Sequence, residues 1–418
     1  MSGWSELRAL NSAQRNVVIA CFLGWTLDAF DFFVMVLAVK AIATDFHVAN
    51  TQVVLGITLT LAARPFGAFV FGWLANKYGR RPILMIDVLL FSAFELASAF
   101  APTLGVLLVL RFLFGFAMGG EWGLGSSLVM ESIPPAARGV VSGLLQEGYA
   151  CGNLLAALLF WALFEHVGWR GMFVVGFVPA VLVLYIRMKV PESPVWLDMQ
   201  TSMPAGKRRP LDAMKGLWGR AAFMVVLMTL FNFFSHGTQD LYPLFLQVEK
   251  GFDKGTLGLL TTIGPIGAIL GGLFFGSISE RIGRKKAIII AALLVLPVLK
   301  LWAFSSEAIL LGAGAFAVQF MVQGAWGVVP VHLNELSSDG MRATLPGLTY
   351  QIGNLISATV PFFLTYFAEL NGKQYGLVMA IFISGVAVLL ALVTWLGPEA
   401  KGKAFGRNPA VSGANPAV

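Results

Sequence analysis

Twelve apolar runs of about 20 residues or more, separated by charged or Gly/Pro-rich breaks, constrain this chain more than any other feature. They fall near 16–43, 51–75, 82–101, 103–130, 139–165 and 168–190, and again near 219–248, 256–280, 285–304, 307–334, 341–369 and 374–397. A helix rises about 1.5 Å per residue and the hydrocarbon core of a bilayer is about 30 Å thick, so each run is long enough to cross it. In lipid the backbone must satisfy its own hydrogen bonds, which leaves helices as the form for runs of this length. Composition agrees: of 418 residues, 57% are hydrophobic and 12% charged, against about 25% charged in soluble domains. Mean hydropathy is +0.78. A soluble enzyme with one core, a disordered chain and a disulfide scaffold are excluded. The fold class expected is an all-α membrane protein.

The first run holds Asp28 and Asp31 and lacks a cleavage site, so it is expected to remain as the first span rather than act as a signal peptide. Cys21 and Cys151 sit in apolar runs without metal-ligand or redox spacing, which predicts neither a metal site nor a disulfide. With only four histidines, no nucleophile–base set and no phosphate-cradling loop, no enzymatic activity, cofactor or direct ATP drive is expected.

The two sets of six runs repeat at one offset. Gly72, Asn76, Lys77, Gly79 and Arg80 return 204 residues later as Gly276, Glu280, Arg281, Gly283 and Arg284. The same offset takes Gly120, Trp122 and Gly123 to Gly324, Trp326 and Gly327, Glu131 to Glu335, and Arg138 to Arg342. The division read from this is an N-terminal half over 1–190, a linker over 191–218, a C-terminal half over 219–399 and a disordered tail over 400–418. Placing both termini in the cytoplasm puts 21 of the 29 Lys and Arg on that side and 6 on the other, with Arg64 and Arg111 inside spans. The net charge of +7 is therefore a topology signal, and no nucleic-acid partner is expected.

The segment Gly72–Pro82, repeated at Gly276–Lys286, resembles the signature between the second and third helices of the major facilitator superfamily. That resemblance implies twelve transmembrane helices in two pseudo-symmetric six-helix halves, with the substrate site between them. Glycines there allow a tight turn and close helix approach. The polar Asn76 and the charges Arg80, Glu131 and Arg138, with Glu280, Arg284, Glu335 and Arg342, are expected to form a cytoplasmic gate that breaks as the halves rock. Asn76 stands where the family usually has Asp, which predicts a weaker latch in the first half. Gly119–Gly123 resembles a motif of the acid-transporting branch. Pro191-Glu192-Ser193-Pro194 is similar to the ending of helix 6 in sugar porters, and Gly397-Pro398-Glu399 echoes it.

Ionisable groups inside spans are the sharpest clues, because a charge at the bilayer centre costs roughly 2.5–3.5 kcal/mol even on insertion scales. Arg64, about halfway along the second span, needs an anion: a substrate carboxylate, or an internal acid such as Asp28 or Asp31. Arg111 reads as structural, Glu121 as its partner or that of Arg64, and Asp87 and Glu95 as peripheral or near the cytoplasmic end. Asn232, His236 and Asp240 recur at every fourth residue of the seventh span and so share one face, with Gln239 beside them. Such a stripe serves proton coupling or a hydrogen-bonded helix contact. Glu147, with Gln146 and Asn153, is a further candidate to line the cavity or carry a proton. Tyr350 and Trp326 are candidates for substrate contact, and packing is the competing reading.

The stretch Asn232, Ser235, His236, Thr238, Gln239 and Asp240 resembles the helix 7 signature of lactate/pyruvate:proton permeases in the sialate:proton symporter family. Arg64 matches that group's helix 2 arginine, and Gln351 and Asn354 match its helix 11 pair. The signature's final Thr is Leu244 here. The resemblance implies a secondary transporter that moves a small monocarboxylate with a proton by alternating access. Arg64, Asn232, Ser235, Gln239, Gln351, Asn354 and Tyr350 would bind substrate. His236, Asp240, Asp28, Asp31 and Glu147 would handle the proton. Partners are then a small organic acid, protons and the lipid bilayer, with the chain acting as a monomer in a bacterial cytoplasmic membrane. Transport of another organic acid, such as sialate or an aromatic acid, is the alternative within the fold. A transporter-like sensor is the alternative of another class, and the short linker counts against it.

Overall fold

The computed structural model describes residues 3–202 and 218–406. Most of the expected linker and residues 407–418 of the expected tail lie outside them. The first half comprises α1 (Gly3–Ala9), α2 (Ser12–Asp45), α3 (Asn50–Tyr78), α4 (Arg80–Ala99), α5 (Leu104–Ser132), α6 (Arg138–Gln146), α7 (Gly148–Val175) and α8 (Pro179–Lys189). After α9 (Pro194–Ser202) come α10 (Trp218–Gln239), α11 (Tyr242–Val248), α12 (Lys254–Ile282), α13 (Arg284–Phe304) and α14 (Ala308–Trp326). The chain continues through α15 (Val329–Leu336), α16 (Leu345–Ser357), α17 (Val360–Leu370) and α18 (Tyr375–Leu396).

Among the described residues, ten helical stretches are long and apolar enough to cross a bilayer. One of them, Pro135–Lys189, has 55 residues, which is over 80 Å of helix at about 1.5 Å per residue and therefore two crossings. It turns at Gly168, whose φ of +63° breaks the helical path. The remaining span is divided between α16 and α17 around Ala358 and Thr359. Twelve crossings result, in two six-helix halves. Packing repeats as the sequence does: α3 lies on α5 and α2 on α7 in the first half, while α12 lies on α14 and α10 on α16 in the second. The halves meet mainly through α6 against α12 and α3 against α16.

Both ends of the described chain lie at one face, which carries the interlocked charges. Gly79 and Gly283 turn there with φ of +107° and +99°, conformations that L side chains avoid. Each turn delivers a buried arginine to a buried glutamate: Arg80 Nε to Glu131 at 3.1 Å, and Arg284 Nε to Glu335 at 2.9 Å. Glu192 accepts the N–H groups of Arg80 and Arg81 at the first helix start, and Glu399 those of Arg284 and Lys285 at the second. Burial pushes the Glu192 carboxyl above its ordinary range, against the N–H donors of Ser193, Arg81 and Arg80. At Glu399 burial acts the same way but is outweighed, chiefly by the N–H donors of Lys285 and Lys401, so this carboxyl is held low. On acidification the Glu192 clip therefore neutralises before the Glu399 clip.

The gate charges find definite partners at this face, and one expectation is corrected there. Glu131 joins Arg80 and pairs across the halves with Arg342 at 3.3 Å, while Glu335 pairs with Arg284. Arg138 donates to the carbonyls of Met130 and Lys403. Residues 400–406 are no loose tail. Gly402 N–H donates to Glu335, Lys403 Nζ to the Ser337 carbonyl and Gly406 N–H to Asp339. Phe405 is fully buried between Arg138 at 3.5 Å and Arg342 at 3.6 Å, one guanidinium from each half. The segment's polarity hid this, because its single aromatic ring is what docks. A cation–π contact is worth about 2 kcal/mol when desolvated, so this ring holds the two halves together. Phe405→Ala is expected to loosen this face. A thiol placed by Ser142→Cys in a background lacking Cys21 and Cys151 should then label faster from that side.

Candidate functional site

Arg64 sits on α3 immediately before Pro65 and is 2% exposed. Its Nη2 reaches Met118 Sδ at 2.6 Å, its guanidinium lies 5.0 Å from the Phe32 ring centre, and its Nε has no hydrogen-bond partner. Among the described residues no carboxylate forms an ion pair with it. The internal pairing expected from Asp28 or Asp31 is thus not made. Asp28 lies within the field of Arg64, and both its carboxyl oxygens lack partners. Asp31 lies within the field of Asp28 and also beside Glu95: an added Cβ at Gly176 would stand 2.8 Å from Asp31 Oδ1 and 2.5 Å from Glu95 Cγ.

Arg111 is structural as expected, but its partner is Glu95, at 2.8 Å. The expected pairing of Glu121 with Arg64 or Arg111 is not formed; its carboxyl is buried over Gly24. Asp87 and Glu95 are fully buried rather than peripheral. Asp87 packs against Gly120, and small residues make room for both acids. Sequence position alone could not distinguish a lipid-side acid from one covered by a neighbouring glycine.

On α10 the expected stripe divides. His236 Nδ1 is 2.9 Å from Asp240 Oδ2 and its Nε2 is 3.3 Å from Asn354 Oδ1 of α16. Both side chains of the His–Asp pair are 32% exposed, unlike the sealed charges of the opposite face. Asn232 is 3% exposed and turns its amide to the Met228 carbonyl of its own helix. Ser235 and Gln239 are engaged by α14, through Gln323 at 3.3 Å and Gln319 at 2.9 Å. Gln319 and Gln323 were missed in the sequence, although two glutamines four apart in an apolar span carry the same kind of signal as the α10 stripe. Gln351 is 1% exposed with both amide atoms unpartnered, leaving a donor and an acceptor free. Leu244 falls on α11 and packs half-buried against the core.

Between Arg64 and the α10 stripe lies an aromatic floor centred on Tyr350 of α16. Its ring is 4.8 Å from Trp122, 5.7 Å from Trp326 and 6.4 Å from Trp25. Trp122 and Trp326 are the pair related by the 204-residue offset, so the repeat brings one indole from each half to the same tyrosine. Tyr149, also missed, packs with its ring tilted 31° and 5.5 Å from Trp25 and lies within the field of both Arg64 and Asp240. The site thus combines one buried cation, free amide groups, a His–Asp pair and a ring floor drawn from both halves. Such a set can hold a small anion and respond to protons. Among the described residues no group of three or more His, Cys, Asp or Glu is placed to hold a metal ion.

Comparison with known proteins bears on the family and the fold. The family model described as "Sugar (and other) transporter" matches residues 16–217, and "Major Facilitator Superfamily" matches residues 240–414. The sialic acid transporter NanX of Escherichia coli is 30% identical over 407 residues, covering 95% of this chain and 97% of its own. A carboxylic acid transporter protein homolog of Saccharomyces cerevisiae is 29% identical, covering 94% and 70% respectively. The crystallised proton:xylose symporter XylE superimposes with a TM-score of 0.77 over 94% of this chain and 98% of its own, at 21% identity, which speaks to the fold alone. With its twelve crossings and two repeated halves, the chain belongs to the major facilitator superfamily of membrane transporters.

Proposed function

We propose that this protein is a proton-coupled symporter of small monocarboxylates, with lactate or pyruvate as preferred substrates, working by alternating access. Arg64 carries the reading. A guanidinium cannot shed its charge, and a buried charge without a counter-ion is costly. A substrate carboxylate supplies the missing anion, with two parallel hydrogen bonds to the fork. Gln351 offers a donor and an acceptor for a neighbouring hydroxyl or keto oxygen, and Asn354 and Asn232 complete the polar wall. Ser235 and Gln239, already bonded to α14, fix the width of that wall.

The Lys and Arg bias supports cytoplasmic termini in a bacterial cytoplasmic membrane. The sealed face is then the cytoplasmic gate in its closed form. His236 and Asp240 form the proton-responsive element facing outward, with Asp28 and Asp31 as buried acids behind it. One anion moving with one proton is electroneutral, so the pH gradient drives uptake. The chain acts as a monomer, since the two halves of one chain supply the whole site. The names of the two relatives, a sialic acid transporter and a carboxylic acid transporter homolog, support an acid as substrate.

A second reading has its own observation. The rings of Tyr350, Trp25, Trp122 and Trp326 gather from both halves beside the polar wall, a setting whose chemistry suits an aromatic acid. Competition separates the two: unlabelled pyruvate should displace labelled lactate if the first reading holds, whereas stronger displacement by bulky acids would select the second.

Radiolabelled L-lactate uptake into proteoliposomes tests the proposal directly. Accumulation under an inward proton gradient should vanish when a protonophore collapses the gradient. Arg64→Ala removes a charge-assisted hydrogen bond worth about 1.5–3 kcal/mol, so apparent affinity should fall roughly 10- to 100-fold. Folded protein that takes up no lactate would exclude the small-acid reading. In the double variant His236→Ala, Asp240→Asn, gradient-driven accumulation should be lost; undiminished accumulation would remove these residues from the proton pathway.

A further inference from the structure

The contact between α6 and α12 is a seam with a regular spacing. Gly139, Gly143 and Glu147 recur every fourth residue along α6 and just past its end, and Gly272, Gly276 and Glu280 do so along α12. Each set therefore lines one helix face. The two faces run antiparallel. Nearest the gate, Glu280 Oε1 accepts the N–H of Gly139 at 2.5 Å. Next, a Cβ added at Gly276 would stand 2.6 Å from the Gly139 carbonyl oxygen, and one added at Gly143 would stand 2.4 Å from that of Gly272. Last, a Cβ at Gly272 would stand 2.0 Å from Glu147 Oε1. Backbone thus lies on backbone for two turns, and the carboxyl of Glu147 closes the inner end of the seam.

Glu147 is 4% exposed and its Oε1 has no hydrogen-bond partner. Cys151 follows one turn along its own helix, and Gln146 beside it is occupied by the Trp122 indole N–H. From α12 the neighbour is Gly272, with the Gln323 carbonyl of α14 behind it. From α2, Trp25 and Thr26 pack against Gly148. No Arg, Lys or His among the described residues forms an ion pair with it. An ionised carboxylate with neither donor nor cation is costly in such a position, whereas a carboxylic acid is accommodated.

The position has a second property. Tyr149, two residues on, belongs to the ring floor of the candidate site, so Glu147 stands between that site and the seam. While the seam is shut, glycine-on-glycine packing cuts Glu147 off from the gate face. Once the halves rock apart, water from the gate face passes Glu280 and the parted glycines and reaches the same carboxyl at the inner end of the seam. A group that couples proton movement to transport must communicate with the two sides in turn.

We infer that Glu147 is the residue that carries the transported proton across, binding it from the site side while the seam is shut and releasing it to water at the gate face when the seam parts. The step forms one carboxyl O–H bond at the expense of a water-borne proton and later returns that proton to water; nothing is oxidised or reduced. The inference rests on the proton-coupled reading above, of which it identifies the unloading group.

Glu147→Gln keeps the shape of the neutral acid and cannot release a proton. In proteoliposomes containing the full-length transporter, it is expected to lose lactate accumulation driven by a proton gradient while retaining lactate counterflow, which needs no net proton movement. Glu147→Asp, which restores an acid one methylene short, should recover accumulation with an altered pH profile. Accumulation by Glu147→Gln equal to the parent would overturn the inference. So would loss of counterflow together with accumulation in folded Glu147→Gln, which would mark the residue as structural. Absence of gradient-driven uptake in the unsubstituted protein would instead refute the parent reading, so the two failures are distinguishable.

Discussion

The carboxylate of Glu131 serves two arginines at once, Arg80 of its own half and Arg342 of the other, and it also accepts the Ser193 hydroxyl at 2.5 Å. All three charged side chains are fully buried. A buried charge is tolerable only with good partners, so this junction forms only when both halves are correctly placed. Everything else at that face is arranged around it. Phe405 covers Arg342 and Arg138, Asn76 reaches Thr344 across the interface at 2.8 Å, and Glu280 crosses to Gly139. The departure at Asn76 therefore does not remove a latch; it replaces an ion pair with a neutral bond to the opposite half.

Sealing one face has consequences for the other. Buried ion pairs and glycine contacts hold α6 to α12 and α3 to α16 near the gate, while His236 and Asp240 remain part-exposed at the far side of the site. The cation at Arg64 and the aromatic floor lie between these two regions. A transporter that alternates access needs this kind of asymmetry: bonds concentrated at one end, which can be traded for bonds at the other. Because the junction charges are shared between halves, opening breaks them together, which favours two discrete arrangements over gradual loosening.

The glycines explain how so many acids are held in an apolar protein. Gly24, Gly120, Gly176 and Gly272 each leave the volume that a carboxyl group fills, for Glu121, Asp87, Glu95 with Asp31, and Glu147 in turn. Without those vacancies the acids would face lipid or be excluded. Placing them inside the bundle turns a composition that looks merely small and flexible into a set of sites for protonatable groups.

Much of this protein was legible in the chain. Apolar run length, the 204-residue repeat and the Lys/Arg distribution gave twelve crossings, two halves and an expected orientation, because lipid imposes rules that act on local composition. The polar stripe of α10 and the lone Arg64 were visible for the same reason: charge is conspicuous in a span. Pairing was not legible. That Arg111 takes Glu95, that Glu131 takes Arg342, that Ser235 and Gln239 bind α14 and that Phe405 docks between two guanidinium groups depends on distances between segments up to 267 residues apart (Arg138 to Phe405). Sequence fixes which groups must find a partner when water is withdrawn; only the packed helices decide which partner stands within hydrogen-bonding distance.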